Sequence, residues 1–210
     1  IKKWFGMTFA FLHNTTRTPT QQTARGGTKA GEGIFLRPPQ ITDYAMWADI
    51  RTTSRAFLKP WEPSWASDDL TRNAFRRRIR RYQQETREGQ AHALFIFRKH
   101  DEQLVGGLNL SNIRRGVTQA ANLGYWMGES FAGQGYMSAA VRSTLPFAFN
   151  SLGLHRVEAA CIPDNLRSIN LLQRLGFQRE GFAREYLCID GRWRDHVLFA
   201  ILKKDLNKDI

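Results

Sequence analysis

Apolar positions along this chain change period several times, and each change marks an element. Ile34-Phe35-Leu36-Arg37 reads as a first strand, closed by Pro38-Pro39. Thr42 or Asp43 can open a helix whose apolar positions are Tyr44, Met46, Trp47 and Ile50. Phe57 to Trp65 mixes Trp61 and Trp65 with Pro60 and Pro63, which predicts a rigid aromatic loop rather than a regular element. From Leu70 to Arg87 the spacing of Phe75, Ile79 and Tyr82 predicts a helix with one apolar stripe. Ala93 to Arg98 and Gln103 to Leu110 predict an antiparallel hairpin about the turn His100-Asp101-Glu102. A turn at Arg114-Arg115-Gly116 leads to a strand from Ala120 to Met127. Met137, Ala140, Val141, Leu145 and Ala148 then recur at helical spacing, with a kink expected at Pro146 and a stop at Gly153. Arg156 to Ile162 is a buried strand, parallel to the one before it, because a strand–helix–strand order requires a crossover. Ile169, Leu172 and Leu175 mark a last helix with Gly176 just past its end. Phe177 to Ile189 and Trp193 to Leu202 close as a hairpin around Asp190-Gly191.

The chain has 210 residues, enough for one full core with extra segments and too few for two typical domains. Residues 1–32 read as an N-terminal extension with a flexible loop, 33–203 as the folded domain and 204–210 as a C-terminal tail. Lys2-Lys3 ahead of Trp4 to Leu12 is signal-like, but the apolar stretch is short and no small-residue cleavage site follows, so a peripheral extension is expected. No apolar run reaches the ~18 residues of a membrane span. A formal charge of +12 favours a polyanionic partner: RNA, a ribosome surface or a phosphorylated cofactor. Arg76 to Arg81 concentrate that charge on one helix, either as a solvated face or as a polyanion-binding one. Two cysteines, Cys161 and Cys188, in apolar strands indicate a reducing cytoplasm without a disulfide framework. The five histidines have no metal-ligand spacing, so no metal is expected.

Two polar turns carry the candidate chemistry. Gly133-Gln134-Gly135 opens a helix, where glycine lets main-chain N–H groups approach an anion and the helix dipole favours it. A diphosphate suits that chemistry. Met137 and Ser138 stand where a dinucleotide fingerprint has its third glycine, and the preceding half is antiparallel, which argues against a Rossmann fold. Asp164-Asn165-x-x-Ser168 opens the next helix. Asp164 or Asn165 can cap it, and Ser168 can serve a backbone group instead of a ligand.

Gly124-Tyr125-Trp126-Met127, Gly133-Gln134-Gly135-Tyr136-Met137, Asn165-x-x-Ser168, Leu171-Leu172-x-x-Leu175-Gly176-Phe177, Glu180-Gly181 and Tyr186-x-x-Ile189-x-Gly191-x-Trp193-x-Asp195-His196 form an ordered set. That set resembles the GNAT acyltransferases, and within them the branch that acetylates the N-terminal alanine of ribosomal proteins. The likeness spans about residues 33–203 and includes Ser54 to Trp61. It implies a mixed α/β (α+β) fold: a mostly antiparallel, splayed sheet of about seven strands flanked by about four helices.

The resemblance also implies roles. Acetyl-CoA would lie where two parallel strands diverge, with main-chain groups of Trp126 and Met127 on pantetheine. N–H groups of Gly133, Gln134, Gly135, Tyr136, Met137 and Ser138 would hold the pyrophosphate, and Asn165 the pantetheine arm. Glu185 would be the base, acting through water, and Ser168 the donor to the departing thiolate. Glu158 and Glu129 are the next carboxylates in line. Alternation puts Glu185 and Tyr186 on opposite faces of a strand unless a bulge intervenes. Trp47, Trp61 and Trp65 are candidates for a peptide groove, with the core favoured for Trp47. The implied function is acetyl transfer to the N-terminal α-amine of a ribosomal protein, with rRNA contact through Arg76 to Arg81, and it is compatible with an oligomer. Two rivals stand beside it. Acetylation of a small amine (an antibiotic, polyamine or amino acid) would need an acidic pocket, and the substrate-side loops have no acidic cluster in sequence. An RNA-binding ribosome assembly factor would use the same arginines without catalysis.

Overall fold

The computed structural model describes residues 33–207; the expected extension 1–32 and the end of the tail lie outside them. One sheet organises these residues. Its strands are β1 Ile34–Arg37, β2 His92–Arg98, β3 Leu104–Arg114, β4 Ala120–Met127, β5 Arg156–Cys161, β6 Gln178–Ile189 and β7 Arg192–Leu202. Their spatial order is β1-β2-β3-β4-β5-β7-β6. Every neighbouring pair is antiparallel except β4 with β5. The mixed, mostly antiparallel sheet is the one expected from the sequence.

Five α-helices accompany it among the described residues: α1 Tyr44–Thr53, α2 Arg55–Leu58, α3 Arg72–Arg87, α4 Tyr136–Pro146 and α5 Leu166–Arg174. The additional helix is α2, a single turn inside the stretch that begins the aromatic loop. It runs into a 3-10 turn, Lys59–Trp61, where Pro60 needs no N–H partner. The loop expectation therefore holds only from Glu62 onward. Strand β3 also outruns its expected end at Leu110 and reaches Arg114. It absorbs the extra length in a bulge between Ser111 and Arg114, with Asn112 at φ 50°.

Packing follows the periodicities. Thr71 caps α3 by accepting the N–H of Ala74, and Phe75 and Ile79 point inward, with Phe75 against Trp47 at 4.8 Å between ring centroids. The Pro146 distortion takes the form of a wide turn, with the N–H of Leu152 reaching back to the carbonyl of Phe147. Helix α5 ends as expected: Gly176 adopts φ 83° and the N–H of Phe177 bonds the carbonyl of Leu172. Leu172 anchors α5 and is fully buried. Leu172→Ala is expected to cost about 2–5 kcal/mol in urea unfolding. A loss below about 1 kcal/mol would show that α5 is not held by this side chain.

Candidate active site

The parallel contact between β4 and β5 lasts for Ala120 to Asn122 against Arg156 to Glu158 and then stops. Beyond it β4 continues beside β3, and β5 continues beside β7. The N–H of Gly128 bonds the carbonyl of Val105, which fixes the alternation on β4. Trp126 therefore directs its main-chain groups to Gly107 of β3, while Leu123, Tyr125 and Met127 direct theirs into the split. On the far side the N–H of Lys203 bonds the carbonyl of His155, so the main chain of Ala160 faces the same split. Of the two strand residues expected to offer main-chain groups, Met127 has the required direction and Trp126 does not. The main chain of Tyr125 faces the split as that of Met127 does.

At the end of β4 the chain turns through Glu129–Phe131 to Gly133 and Gly135, at φ 77° and 84°. These left-handed conformations suit glycine, and they point successive N–H groups toward the start of α4. The first intrahelical bond runs from the N–H of Ala139 to the carbonyl of Gly135, and Gly135 supplies no side-chain cap. The N–H groups of Tyr136, Met137 and Ser138 thus have no partner inside the helix. The side chain of Gln134 turns back to the carbonyl of Ser130 at 2.8 Å, and that of Met137 is buried.

Asn165 caps α5: its Oδ1 accepts the N–H of Ser168 at 3.1 Å. The capping reading of this turn is therefore correct, and it leaves the amide nitrogen of Asn165 as a donor. Ser168 sits across the mouth of the split. Its Oγ is 2.5 Å from the phenol oxygen of Tyr125 and 3.1 Å from Sγ of Cys161. Tyr125 and Cys161 each lie three residues past the last β4–β5 pair, so one hydroxyl bridges both diverging strands. Burial, with a further contribution from Cys161, pushes the Tyr125 phenol well above its usual range. Burial also raises the Cys161 thiol.

On the opposite face, α1 and α3 stand over small residues of the sheet. A groove of about 750 Å³ opens there, floored by Ala93, Asn109 and Gly124 and walled by Trp65, Tyr82 and Trp126. Glu62, Asp69 and Glu85 line it, an acidic set not visible as a cluster in the sequence. Each meets an arginine: Glu62 with Arg51 at 2.6 Å, Asp69 with Arg78 at 2.8 Å and Glu85 with Arg81 at 3.6 Å. Arg51, 6% exposed, also lies 4.1 Å from the ring of Trp65, whose indole N–H donates to Glu62. The tip of the β6–β7 hairpin closes on this wall through the N–H of Asp190 bonded to the carbonyl of Glu62. Trp65 belongs to the groove; Trp47 touches its edge but is 2% exposed and belongs mainly to the core, while Trp61 points to solvent.

Glu185 lies in a bulge. Between the pairs Ala183–His196 and Leu187–Arg194, three residues of β6 face the single residue Asp195. Glu185 takes φ 48°, its N–H bonds the Asp195 carboxylate at 2.8 Å, and its side chain is exposed. The bulge releases Glu185 and Tyr186 from simple alternation. Among the described residues no hydrogen bond joins Glu185 to the Tyr125–Ser168–Cys161 cluster. Glu158 is held between Arg114 and Arg156 and is occupied as an ion-pair partner. Glu129 is exposed beside the Gly turn, its N–H donated to Ser54.

Comparisons with known proteins agree with this arrangement. A model of the acetyltransferase (GNAT) domain matches residues 34–178. The chain is 37% identical over 167 residues to the [ribosomal protein uS5]-alanine N-acetyltransferase of Escherichia coli, covering 79% of this chain and 86% of that one. It is 36% identical to a probable N-acetyltransferase, YjcK, of Bacillus subtilis, covering 83% and 97%. Among solved structures, Mycobacterium smegmatis RimJ in complex with a CoA disulfide superimposes with a TM-score of 0.79 at 34% identity, covering 83% and 84%. A ribosomal-protein-S5-alanine acetyltransferase from Vibrio fischeri does so with 0.77 at 31%, covering 84% and 96%. The chain belongs to the GNAT acetyltransferase family. It is an N-acetyltransferase, and its acetyl donor is acetyl-CoA. The residues present fit that donor: a strand edge with free main-chain groups, and a left-handed glycine turn at a helix start. Among the described residues no His/Cys/Asp/Glu group could hold a metal ion.

The two thiols should differ in reactivity. Cys188 is exposed and Cys161 buried with a raised pKa, so at neutral pH less of Cys161 is thiolate. Iodoacetamide followed by peptide mapping is expected to label Cys188 first and Cys161 only on unfolding; equal rates would contradict the burial of Cys161.

Proposed function

We propose that this enzyme transfers acetyl to the N-terminal α-amine, of the alanine type, of a ribosomal protein in the cytoplasm. The observation that carries the reading is the groove under α3, which reaches β4 at Gly124 to Trp126. Its volume of about 750 Å³ gives room for a chain terminus, and its acids are already matched by arginines. A polyamine or other small cation needs an unmatched carboxylate, and Glu62, Asp69 and Glu85 each face a guanidinium. The two relatives named for uS5 or S5 alanine acetylation support the same choice.

In this reading the main chains of Tyr125 and Met127 pair with the pantetheine arm, and the amide nitrogen of Asn165 donates to it. The N–H groups from Gly133 to Ser138 hold the pyrophosphate. The donor supplies an activated acetyl thioester; the protein must supply a neutral amine and a place for charge. An α-amine has a pKa of about 7.7–8.0, so a carboxylate acting through water suffices as base. We assign that base to Glu185, whose left-handed bulge lifts it clear of the sheet, and assign to Ser168 the hydrogen bond to the departing sulfur.

A ribosomal target also accounts for the basic helix, with a narrower contact than the run suggests. Arg77, Arg78 and Arg81 are engaged with Asp68, Asp69 and Glu85. Arg76 and Arg80 remain exposed as the rRNA-facing pair. These pairings weaken the assembly-factor reading, since three of its five arginines are neutralised.

Mass spectrometry of peptides copied from ribosomal-protein N-termini, with acetyl-CoA, tests the substrate; acetylation of spermidine or free amino acids in preference to every peptide would overturn it. Glu185→Gln is expected to lower turnover by about ten- to a thousand-fold at neutral pH with acetyl-CoA affinity unchanged. Unchanged turnover across pH would remove Glu185 from the reaction.

A further inference from the structure

The bridge across the split is more than a packing contact. Ser168 Oγ stands 2.5 Å from the Tyr125 phenol oxygen and 3.1 Å from Cys161 Sγ, and these three groups come from β4, β5 and α5. A hydroxyl oxygen has one proton to give and two lone pairs to accept with. Of the pair Tyr125–Ser168, the phenol is the more acidic and the better donor. Once it donates to Ser168, the serine hydrogen must point elsewhere, and the neighbour it then meets is a sulfur. A thiol is a weak acceptor, so that hydrogen is held loosely and can turn to a stronger one.

We propose that Tyr125 is a positioning residue for the transfer: by donating to Ser168 Oγ it aims and polarises the serine hydrogen toward the sulfur of coenzyme A. This rests on the assignment of Ser168 to that sulfur. In the reaction the acetyl C–S bond breaks and a C–N bond forms. The sulfur keeps the electron pair, and the amine proton leaves through the base. No proton passes through Tyr125. Ser168 only shares its hydrogen with the thiolate, and Tyr125 makes that hydrogen more positive. Burial keeps the phenol protonated throughout the working pH range, so the donor is present in every state of the enzyme. Strand alternation gives Tyr125 two tasks at once: its main chain lies along the split while its side chain reaches across to α5.

The test reads the thiol of bound coenzyme A directly, without turnover. Thiolate absorbance of the CoA complex is followed against pH for the wild type, Tyr125→Phe, Ser168→Ala and the double variant, after subtraction of each protein alone. A donor at the sulfur stabilises the thiolate. Tyr125→Phe is expected to lower the acid dissociation constant of the bound thiol by about tenfold. Ser168→Ala should lower it at least as much, and the double variant no further than Ser168→Ala, because Tyr125 acts only through the serine. Thermal unfolding should change little in Tyr125→Phe, since the ring is kept. An unchanged dissociation constant in Tyr125→Phe, or losses that multiply in the double variant, would overturn this inference while leaving acetyl-CoA use intact. Failure of the wild type to bind CoA would overturn both.

Discussion

Everything in this site follows from how briefly β4 and β5 stay together. Each is pinned on its other side, β4 by β3 and β5 by β7, and the two antiparallel halves of the sheet share only three residue pairs. Past that point the main chains of Tyr125, Met127 and Ala160 face the split with no strand neighbour across it. An N–H or carbonyl that loses its strand neighbour must find water or a ligand. The split is therefore a place where an extended molecule bearing amide groups can complete the sheet. The same divergence explains the adjacent anion turn. A strand that leaves its parallel neighbour needs a crossover helix to reach it again, and the N-terminus of that helix, α4, opens at the end of β4 beside the split.

A second constraint holds the opposite wall. Arg51 is nearly buried, makes a two-pronged contact with Glu62 and is flanked by the rings of Trp65 and Trp126. A buried ion pair seldom adds much net stability, because both ions give up water. Its value here is geometric. Glu62 holds Trp65 through its side chain and the β6–β7 tip through its carbonyl, so one guanidinium links α1, the aromatic loop and the hairpin around the groove. Loss of either partner would leave the other charged and unmatched in a place where water is scarce. The hairpin is tied at a second point, where Arg194 reaches Asp164 in the turn ahead of α5. The element bearing Glu185 is thus fastened to both the groove wall and the turn ahead of the helix that carries Ser168.

The strands, the two long helices and the two polar turns were legible in the sequence because each rests on a local signal. Gly133, Gly135 and Gly176 all take the left-handed conformations their positions require. Less visible were the features that depend on register. Trp126 and Tyr125 look equally suitable in a list of residues; only the Gly128–Val105 bond, which sets which side of β4 each main chain faces, separates them. The bulge at Glu185 adds residues to one strand alone, and nothing in the alternation of β6 announces it. The arginine run on α3 reads as one basic face, yet Asp68 and Asp69 lie just ahead in sequence and fold back to take Arg77 and Arg78. The groove is the least legible feature of all, because it arises from what Ala93, Asn109 and Gly124 lack beneath a helix that carries Tyr82 and Arg78.

Coenzyme A received jointly by the open edge of β4 and the glycine turn would protect the amides of both. Hydrogen–deuterium exchange with and without CoA measures this protection at those amides. Slowed exchange is expected in the peptides covering Leu123 to Met127 and Gly133 to Ser138, with the β2–β3 hairpin unchanged. Exchange that is unaltered in both segments, or slowed only beneath α3, would contradict that joint binding.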